Sequence, residues 1–293
     1  MLGDRLDKGW QLRLEREFHM TDDSSLYKTS PGKGRLPLWE GKQFHQFDAD
    51  FAEPQYWLDP SDACEALRAP RLRALARRFK AMGIGGDPDP KRIVLNHTST
   101  RLAFRDVARN TDERTMIATV LPPGRVCPHT VTLEQVYVDE IVNGENVSIP
   151  GVNAWQRLYL VAVFNSFVFD WLLRLSVTAH LSFFFIYNSP VPRLHAGDDL
   201  FDLLSKRAAR LTCTTREFDA FARGVGLSGH EDGATGVVDR ARLRAEIDGL
   251  VAHLYALSEE EFVHILGTFP LVAEPVKVAA RNAYRDVAKG LLQ

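Results

Sequence analysis

The chain has 293 residues, of which 45% are hydrophobic and 25% charged, a composition typical of a globular protein with one large domain or two modest ones. Its formal net charge of -2 excludes a protein that coats nucleic acid through bulk positive charge, so any nucleic-acid surface must be local. Three widely spaced cysteines, Cys64, Cys127 and Cys213, favour a reducing cytoplasm over a disulfide framework.

The N-terminal region combines a polar start with an aromatic segment. Residues 1–35 are rich in charge, predict a strand that leads into a loop, and contain no secretory signal. Residues 36–59 (LPLWEGKQFHQFDADFAEPQYWLD) hold much of the aromatic content of the chain. Aromatic side chains at this density predict a packed segment.

Residues 70–82 are predicted to form a helix with a basic outer face. Pro70 suits the first turn, an apolar stripe runs from Leu72 to Met82, and Gly83 ends the helix. Six cations occur over residues 68–80 without an acid between them: Arg68, Arg71, Arg73, Arg77, Arg78 and Lys80. They can contact phosphates, and the alternative is an ordinary solvated helix face.

Residues 101–123 predict a hairpin that carries arginines. In a strand, the alternation places Arg101, Arg105 and Arg109 on one face, although the same spacing also fits one face of a helix. The turn residues Asn110, Thr111 and Asp112, followed by β-branched residues, favour strands. A short strand over residues 93–95 is expected to precede this hairpin.

The remainder of the chain predicts strands followed by helices. Residues 131–142 and 147–149 predict strands around an Asn143-Gly144 turn, residues 153–175 a helix, and residues 181–187 a buried strand. Charged residues interrupt the apolar region 158–187, which therefore predicts core and not a membrane span.

The C-terminal third predicts helices only. From residue 199 the pattern is helical, with Asp239 as a helix cap and with Ser258 and Glu261 as a capping box for a helix that stops at Pro270. The expected fold is therefore α+β: a mixed or antiparallel sheet with hairpins and packed helices over residues 1–195, and a helical subdomain over residues 196–293.

Catalytic and metal-binding motifs are poorly represented in the sequence. No pair of histidines has metal-ligand spacing, no Gly-x-Ser-x-Gly motif occurs, and the glycines of residues 83–90 lack the lysine of a P-loop. One short pattern, Asp23, Glu40 and Lys42, has the form of a magnesium-dependent nuclease site. The segment Asn188-Ser189-Pro190 lacks the first proline and the aromatic residue of the Asn-Pro-Pro-aromatic motif of adenine methyltransferases.

Four blocks of the sequence carry a family resemblance, and they occur in this order: LPLWEGKQFHQFD, RLAFRDVARNTDERTMIATVLPP, FNSFVFDWLLRLSV with LSFFFIYNSPVPRL, and DGLVAHLYALSEEEFVHILGTFP. Together they resemble the C-terminal target-recognition region, the TaqI-like specificity region, of large adenine-specific DNA methyltransferases. Such enzymes belong to type II (type IIG) restriction–modification and phage-defence systems. The resemblance extends over residues 15–285.

The resemblance implies recognition of double-stranded DNA and not catalysis by this chain itself. In such enzymes, an upstream Rossmann-like domain binds S-adenosylmethionine and carries the Asn-Pro-Pro-aromatic motif. Neither the S-adenosylmethionine-binding element nor the Asn-Pro-Pro-aromatic motif has matching positions in this sequence. No catalytic residue of the family is therefore assigned to this chain, and no cofactor is expected in it. The expected partners are DNA and a separate methyltransferase or nuclease polypeptide or domain, and the chain is expected to be a subunit, a truncated piece or a relic.

The candidate DNA-binding residues are Lys42, His45, Arg71, Arg77, Arg78, Arg101, Arg105, Arg109 and Arg114. The arginines are expected to hold phosphates, while Lys42, His45, Gln43 and Gln46 offer donors and acceptors for base edges. Alternatively, the hairpin arginines pair with Asp106, Asp112 and Glu113. Two other functions remain open: a magnesium-dependent nuclease that uses Asp23, Glu40 and Lys42, and a non-enzymatic protein-interaction domain.

Overall fold

A computed structural model describes residues 5–107, 109, 111–176 and 180–292, and it has an α+β fold. The helices are α1 (Leu6–Gly9), α2 (Pro60–Ala81), α3 (Ala154–Phe164), α4 (Phe167–Arg174), α5 (Phe183–Asn188), α6 (Asp199–Thr212), α7 (Asp219–Gly224), α8 (Val237–Leu254), α9 (Glu259–Gly267) and α10 (Glu274–Ala288). The strands are β1 (Leu14–Glu15), β2 (Leu36–Leu38), β3 (Tyr56–Leu58), β4 (Arg101–Arg105), β5 (Ala118–Leu121), β6 (Val131–Glu134), β7 (Tyr137–Val142) and β8 (Glu145–Pro150).

The main sheet contains the predicted arginine hairpin. Its strands are antiparallel in the order β1-β6-β4-β5, and the register of β4 and β5 pairs Arg101 with Leu121 and Phe104 with Ala118. The two strands of the hairpin are therefore confirmed. Its predicted turn includes Asn110, which lies outside the described residues.

The second hairpin is formed by β7 and β8 around the predicted turn, but the predicted strand over residues 131–142 is two strands, of which β6 belongs to the main sheet and β7 to the hairpin. Asn143 and Gly144 connect the strands, with φ angles of 51° and 82°. Positive φ at both central residues is the geometry of a type I′ turn, which matches the twist of the adjoining strands and favours Asn-Gly. A smaller pairing, β2 with β3, joins the two ends of the aromatic segment.

One hydrophobic core contains residues of the sheet and of the C-terminal helices. Helix α3 packs against β4, β5, α6 and α8, so that Phe104 and Leu250 belong to the same buried cluster. Helices α8 and α10 approach closely at Gly249, where an added Cβ would lie 2.6 Å from the backbone nitrogen of Tyr284. The division of the chain at residues 195 and 196 stays a prediction.

Several predicted elements differ from the observed ones. Helix α2 begins at Pro60 and contains Pro70, since Asp59 and Pro60 already provide a favourable start and Pro70 lies on an exposed face. The predicted helix over residues 153–175 is two helices, because the Asn165 side chain bonds the backbone of Ala118 and Ser166 caps α4.

Short apolar segments account for the remaining differences. The predicted strand over residues 181–187 is wrong: residues Phe183–Asn188 form α5, in which Phe184 is exposed and Ile186 is buried. No strand forms at residues 93–95, and Asp239 lies inside the first turn of α8, whose cap is Gly236. Periodicity cannot separate a helix from a strand in runs this short. The capping box of Ser258 and Glu261 at α9 is confirmed.

The apolar region and the cysteines agree with a globular interior. Most of α3 and the core-facing side of α4 are buried. Among the described residues, no helix combines the length and the hydropathy that are needed to cross a membrane. Cys64, Cys127 and Cys213 are all free thiols.

Candidate nucleic-acid interface

Arg101 is a buried structural residue. Its side chain has no exposed surface, and its terminal nitrogens donate to both carboxylate oxygens of Glu17 at 2.5 and 3.1 Å. Burial alone would lower the pKa of this guanidinium, but the Glu17 carboxylate raises it above its ordinary value. The DNA-binding role predicted for Arg101 has no support, because no ligand can reach the side chain in this conformation.

Arg114 is also engaged inside the protein. It donates to the carboxylate of Asp170 at 2.9 Å and to the backbone oxygen of Asn165, and its guanidinium lies 4.2 Å from the centre of the Phe167 ring. Only 10% of its side chain is exposed. Asp170 was not among the acids predicted to pair with these arginines, because it lies 56 positions along the chain.

The predicted row of three guanidinium groups on one strand face does not form. Strand β4 ends at Arg105, so Arg109 lies beyond the sheet, where it is exposed. Arg105 is half-buried and donates to the backbone oxygen of Phe44 at 2.6 Å. The alternating pattern therefore predicts the strand correctly but not the common surface, since the strand is too short to reach Arg109.

Three arginines from distant parts of the chain hold residues 44–47 of the aromatic segment through backbone oxygens. Arg105 on β4 donates to Phe44, and from α8, Arg244 donates to Gln46 at 2.9 Å and Arg240 to Phe47 at 3.3 Å. None of these arginines forms an ion pair with a carboxylate of the described residues. Burial lowers the pKa of all three guanidinium groups. The segment 44–47, named here the anchored loop, therefore lies in a positive field.

His45 lies in the anchored loop and is electrically neutral at physiological pH. Burial, together with the positive charges of Arg105 and Arg244, lowers the pKa of its imidazole to about 4. Its ring lies 5.1 Å from the ring of Phe51, centre to centre. His45 can thus present an uncharged ring with hydrogen-bonding nitrogens to a ligand, but not a cation to a phosphate.

The other polar residues predicted to read base edges differ in exposure. Gln43 is buried and closes a capping box with Glu40, while buried Gln46 donates to the backbone oxygen of Met116. Both are therefore structural residues. Lys42 is exposed, lies 3.1 Å from Glu40, and donates to Gln55 at 2.7 Å.

A cavity of about 140 Å³, lined by both charged and apolar side chains, adjoins the anchored loop. Its lining includes His45, Arg114, Asn165, Arg244 and Asp248. Asp248 is buried and accepts a hydrogen bond from the backbone nitrogen of Phe167, and burial raises the pKa of its carboxyl to about 6. A cavity of this volume and polarity can hold a few waters or one small ring.

The six predicted cations of helix α2 differ in their surroundings. Arg71 donates to both carboxylate oxygens of Asp139 at 2.7 Å, and Arg78 donates to Glu140 at 2.6 Å, so both fasten the helix to β7. Arg68 is half-buried. The other three cations, Arg73, Arg77 and Lys80, are exposed and form no ion pair with any residue that the structure describes.

Arg73, Arg77 and Lys80 share one face of the helix because their spacing is i, i+4 and i+7. This surface is named here the basic face. Of the helical residues predicted to bind DNA, Arg77 lies on the basic face, and Arg71 and Arg78 do not.

The residues of the nuclease alternative do not assemble into a metal site. A carboxylate oxygen of Asp23 accepts a hydrogen bond from the backbone nitrogen of His19, and Glu40 pairs with Lys42. Within the described ranges, the one group of three potential metal ligands is Asp219, His230 and Glu231. A hydrogen bond of 2.8 Å between His230 Nδ1 and Asp219 accounts for that group.

Sequence reasoning missed Arg240, Arg244 and Phe51. The two arginines lie in a helix of alternating charge in the predicted helical subdomain, and nothing local indicates that they reach the anchored loop. Phe51 was treated as one packing aromatic among several. An available signal was its position between Asp50 and Glu53, which is unusual for a core residue.

No family model matches the chain, and no curated protein matches it in sequence. In backbone structure, the chain is similar to the Type IIL restriction-modification enzyme MmeI in complex with DNA, with a TM-score of 0.43 and 12% sequence identity. The similarity covers 95% of this chain and 36% of that enzyme, so the chain spans about a third of the enzyme's length.

Proposed function

We propose that the chain binds duplex DNA and supplies sequence specificity to an adenine-N6 DNA methyltransferase of a restriction–modification system, whose catalytic and S-adenosylmethionine-binding domain is separate from these residues. The observation that carries the proposal is the basic face of α2. Arg73, Arg77 and Lys80 are exposed without carboxylate partners among the described residues, in a protein whose net charge is -2. The four sequence blocks support the same function independently.

The basic face suits contact with a phosphate backbone. Two turns of helix separate Arg73 from Lys80, about 10 Å at the helical rise of 1.5 Å per residue, which allows contacts with successive phosphates. Arg71 and Arg78 fix the helix on β7, so the face is presented on a rigid support. Phosphate contacts of this kind position a protein on DNA but do not select a sequence.

Sequence selection is assigned to the neighbourhood of the anchored loop. Lys42 and His45 offer a cationic donor and a neutral ring, and Arg105 adds a guanidinium with no carboxylate partner among the described residues. Lysine and arginine donate to acceptors on guanine, and a neutral imidazole both donates and accepts. Of the predicted residues, we retain Lys42, His45, Arg77, Arg105 and Arg109 for DNA binding.

The proposal is tested by measuring duplex affinity against salt concentration, with wild-type protein and the variant Arg73→Ala/Arg77→Ala/Lys80→Ala. We expect the variant to bind more weakly at low salt, and the slope of log affinity against log salt to become shallower by about 2 to 3 units. The matched control, Lys206→Ala/Arg216→Ala/Lys289→Ala, removes the same charge from three exposed positions elsewhere.

Two outcomes contradict the proposal. The first is no affinity for any duplex at low salt, either alone or with a methyltransferase encoded beside this chain. The second is an equal loss of affinity in the variant and the control, which would show that net charge and not the basic face holds DNA. A pool of random duplexes then tests specificity, since a specificity module enriches one short sequence.

A further inference from the structure

Phe51 is exposed, whereas three other aromatic residues of the aromatic segment are buried. Its side chain is 59% exposed, whereas Trp39, Phe44 and Phe47 are no more than 4% exposed. Its backbone is anchored, because its backbone nitrogen donates to the backbone oxygen of Gln43 at 2.9 Å. A solvent-exposed aromatic ring on an anchored backbone offers a flat apolar face, against which another planar group can pack.

His45 supports this ring from one side. The two ring centres are 5.1 Å apart and the rings are inclined by 37°. Because burial and the adjacent arginines lower the pKa of His45 to about 4, the imidazole adds no charge at neutral pH. Phe51 and His45 therefore form an uncharged aromatic surface.

Arg105 lies beside the aromatic surface, since it donates to the backbone oxygen of Phe44 and its charge lowers the pKa of His45. Lys42 directly precedes Gln43, whose backbone oxygen accepts the hydrogen bond from Phe51. Lys42 and Arg105 line the same shallow pocket. Asp50, which adjoins Phe51 in sequence, is paired with Arg125 at 2.8 Å. The combination of a flat neutral ring with cations at its edge is the arrangement with which proteins bind unpaired nucleotides.

We propose that Phe51, supported by His45, stacks on one unpaired nucleobase of bound DNA, next to the bases that Lys42 and Arg105 are proposed to contact. The inference rests on the proposed DNA-binding function and adds a ligand class to the anchored loop. Every base has a π face, so this contact recognises an unstacked base without selecting its identity.

The test compares two duplexes of the same sequence, one perfectly paired and one with a single bulged 2-aminopurine. We expect wild-type protein to bind the bulged duplex about tenfold more tightly, and to quench the fluorescence of 2-aminopurine as it stacks. Phe51→Ala should lose both the preference and the quenching while keeping its affinity for the paired duplex. Phe51→Trp should retain both, since the ring remains.

The matched control is Phe184→Ala, which removes a second aromatic of similar exposure, 64%, on α5. A bulge preference that survives in Phe51→Ala, or that is lost equally in Phe184→Ala, overturns the inference. Equal affinity of wild-type protein for the two duplexes also overturns it and leaves the proposed DNA-binding function intact. If neither duplex binds, both proposals fail together, and thermal unfolding of each variant confirms that the fold is retained.

Discussion

Glu17 accepts hydrogen bonds from both terminal nitrogens of Arg101, and its Oε2 also accepts one from the backbone nitrogen of Cys127 at 2.8 Å. The Glu17 side chain is 3% exposed and that of Arg101 is fully buried. This carboxylate thus joins the N-terminal segment to β4 and to the residues before β6. The first arginine of the predicted DNA-binding row is therefore part of the core.

Removing the Glu17 carboxylate is expected to destabilise the protein strongly. Glu17→Gln leaves the charge of Arg101 buried with a weaker partner, and we expect the free energy of unfolding to fall by about 3–5 kcal/mol. The double variant Glu17→Met/Arg101→Met should recover part of that loss, since neither the guanidinium of Arg101 nor the carboxylate of Glu17 is left buried without the other. Urea denaturation measures both.

The control for this pair is Glu140→Gln, because Glu140 and Arg78 form an exposed ion pair with 46% and 44% of their side chains accessible. Exposed pairs contribute about 0–1 kcal/mol. If Glu17→Gln lowered the free energy of unfolding no more than Glu140→Gln does, the buried pair of Glu17 and Arg101 would not hold the N-terminal segment on β4.

Asp248 is expected to make the protein less stable as the pH rises from about 4 to 6. Its folded-state pKa of about 6 lies above its ordinary value of 3.8, so the folded protein binds more protons than the unfolded chain in that window. Asp248→Asn keeps an acceptor for the Phe167 amide. It should therefore raise the free energy of unfolding by about 1–3 kcal/mol at pH 7, with no gain near pH 4.

Urea denaturation between pH 4 and 8 checks the Asp248 prediction through the difference between variant and wild type. Using the difference removes the contributions of other titrating groups, including His45, whose effect has the opposite sign. A gain that is the same at every pH would mean that the asparagine side chain improves packing and that the carboxyl is not destabilised by its burial.

His45 is expected to stay neutral until the pH approaches 4. Nuclear magnetic resonance titration of the imidazole carbons should give a pKa of about 4, and Arg244→Ala should raise it towards the ordinary value of 6.5 by removing one of the adjacent charges. Arg92→Ala is the control, since Arg92 pairs with Glu145 on β8. A wild-type pKa near the ordinary 6.5 would mean that His45 is partly protonated near neutral pH, and the surface of Phe51 and His45 would then not be uncharged.

Gly249 is expected to tolerate no side chain, because α8 and α10 approach closely there. In Gly249→Ala the added methyl group meets the backbone of Ala283 and Tyr284 within 3.0 Å, so the helices must separate. We expect a loss of about 1–3 kcal/mol in the free energy of unfolding. Gly267→Ala, which meets nothing within 4 Å at the end of α9, should be neutral or slightly stabilising.

Local sequence signals determined those elements whose stabilising contacts are themselves local. Asn143 and Gly144 specify the β7–β8 turn through their positive φ angles, and Ser258 with Glu261 specifies the start of α9 through hydrogen bonds three residues apart. The α+β class and the two strands of the arginine hairpin were predicted from local signals of the same kind, namely alternating apolar residues and turn residues. Short apolar runs such as residues 181–187 were misassigned because their periodicity fits either structure.

Only the tertiary structure decided which cations face solvent. Arg101 and Arg71 find their carboxylates 84 and 68 positions away, and Arg240 and Arg244 reach the anchored loop from 193 and 198 positions away. A sequence pattern gives the side of an element on which an arginine lies, but not whether an acid from another element meets it. For that reason the proposed interface keeps Arg105 and Arg109 of the hairpin, excludes Arg101 and Arg114, and adds Arg73 and Lys80 of the basic face.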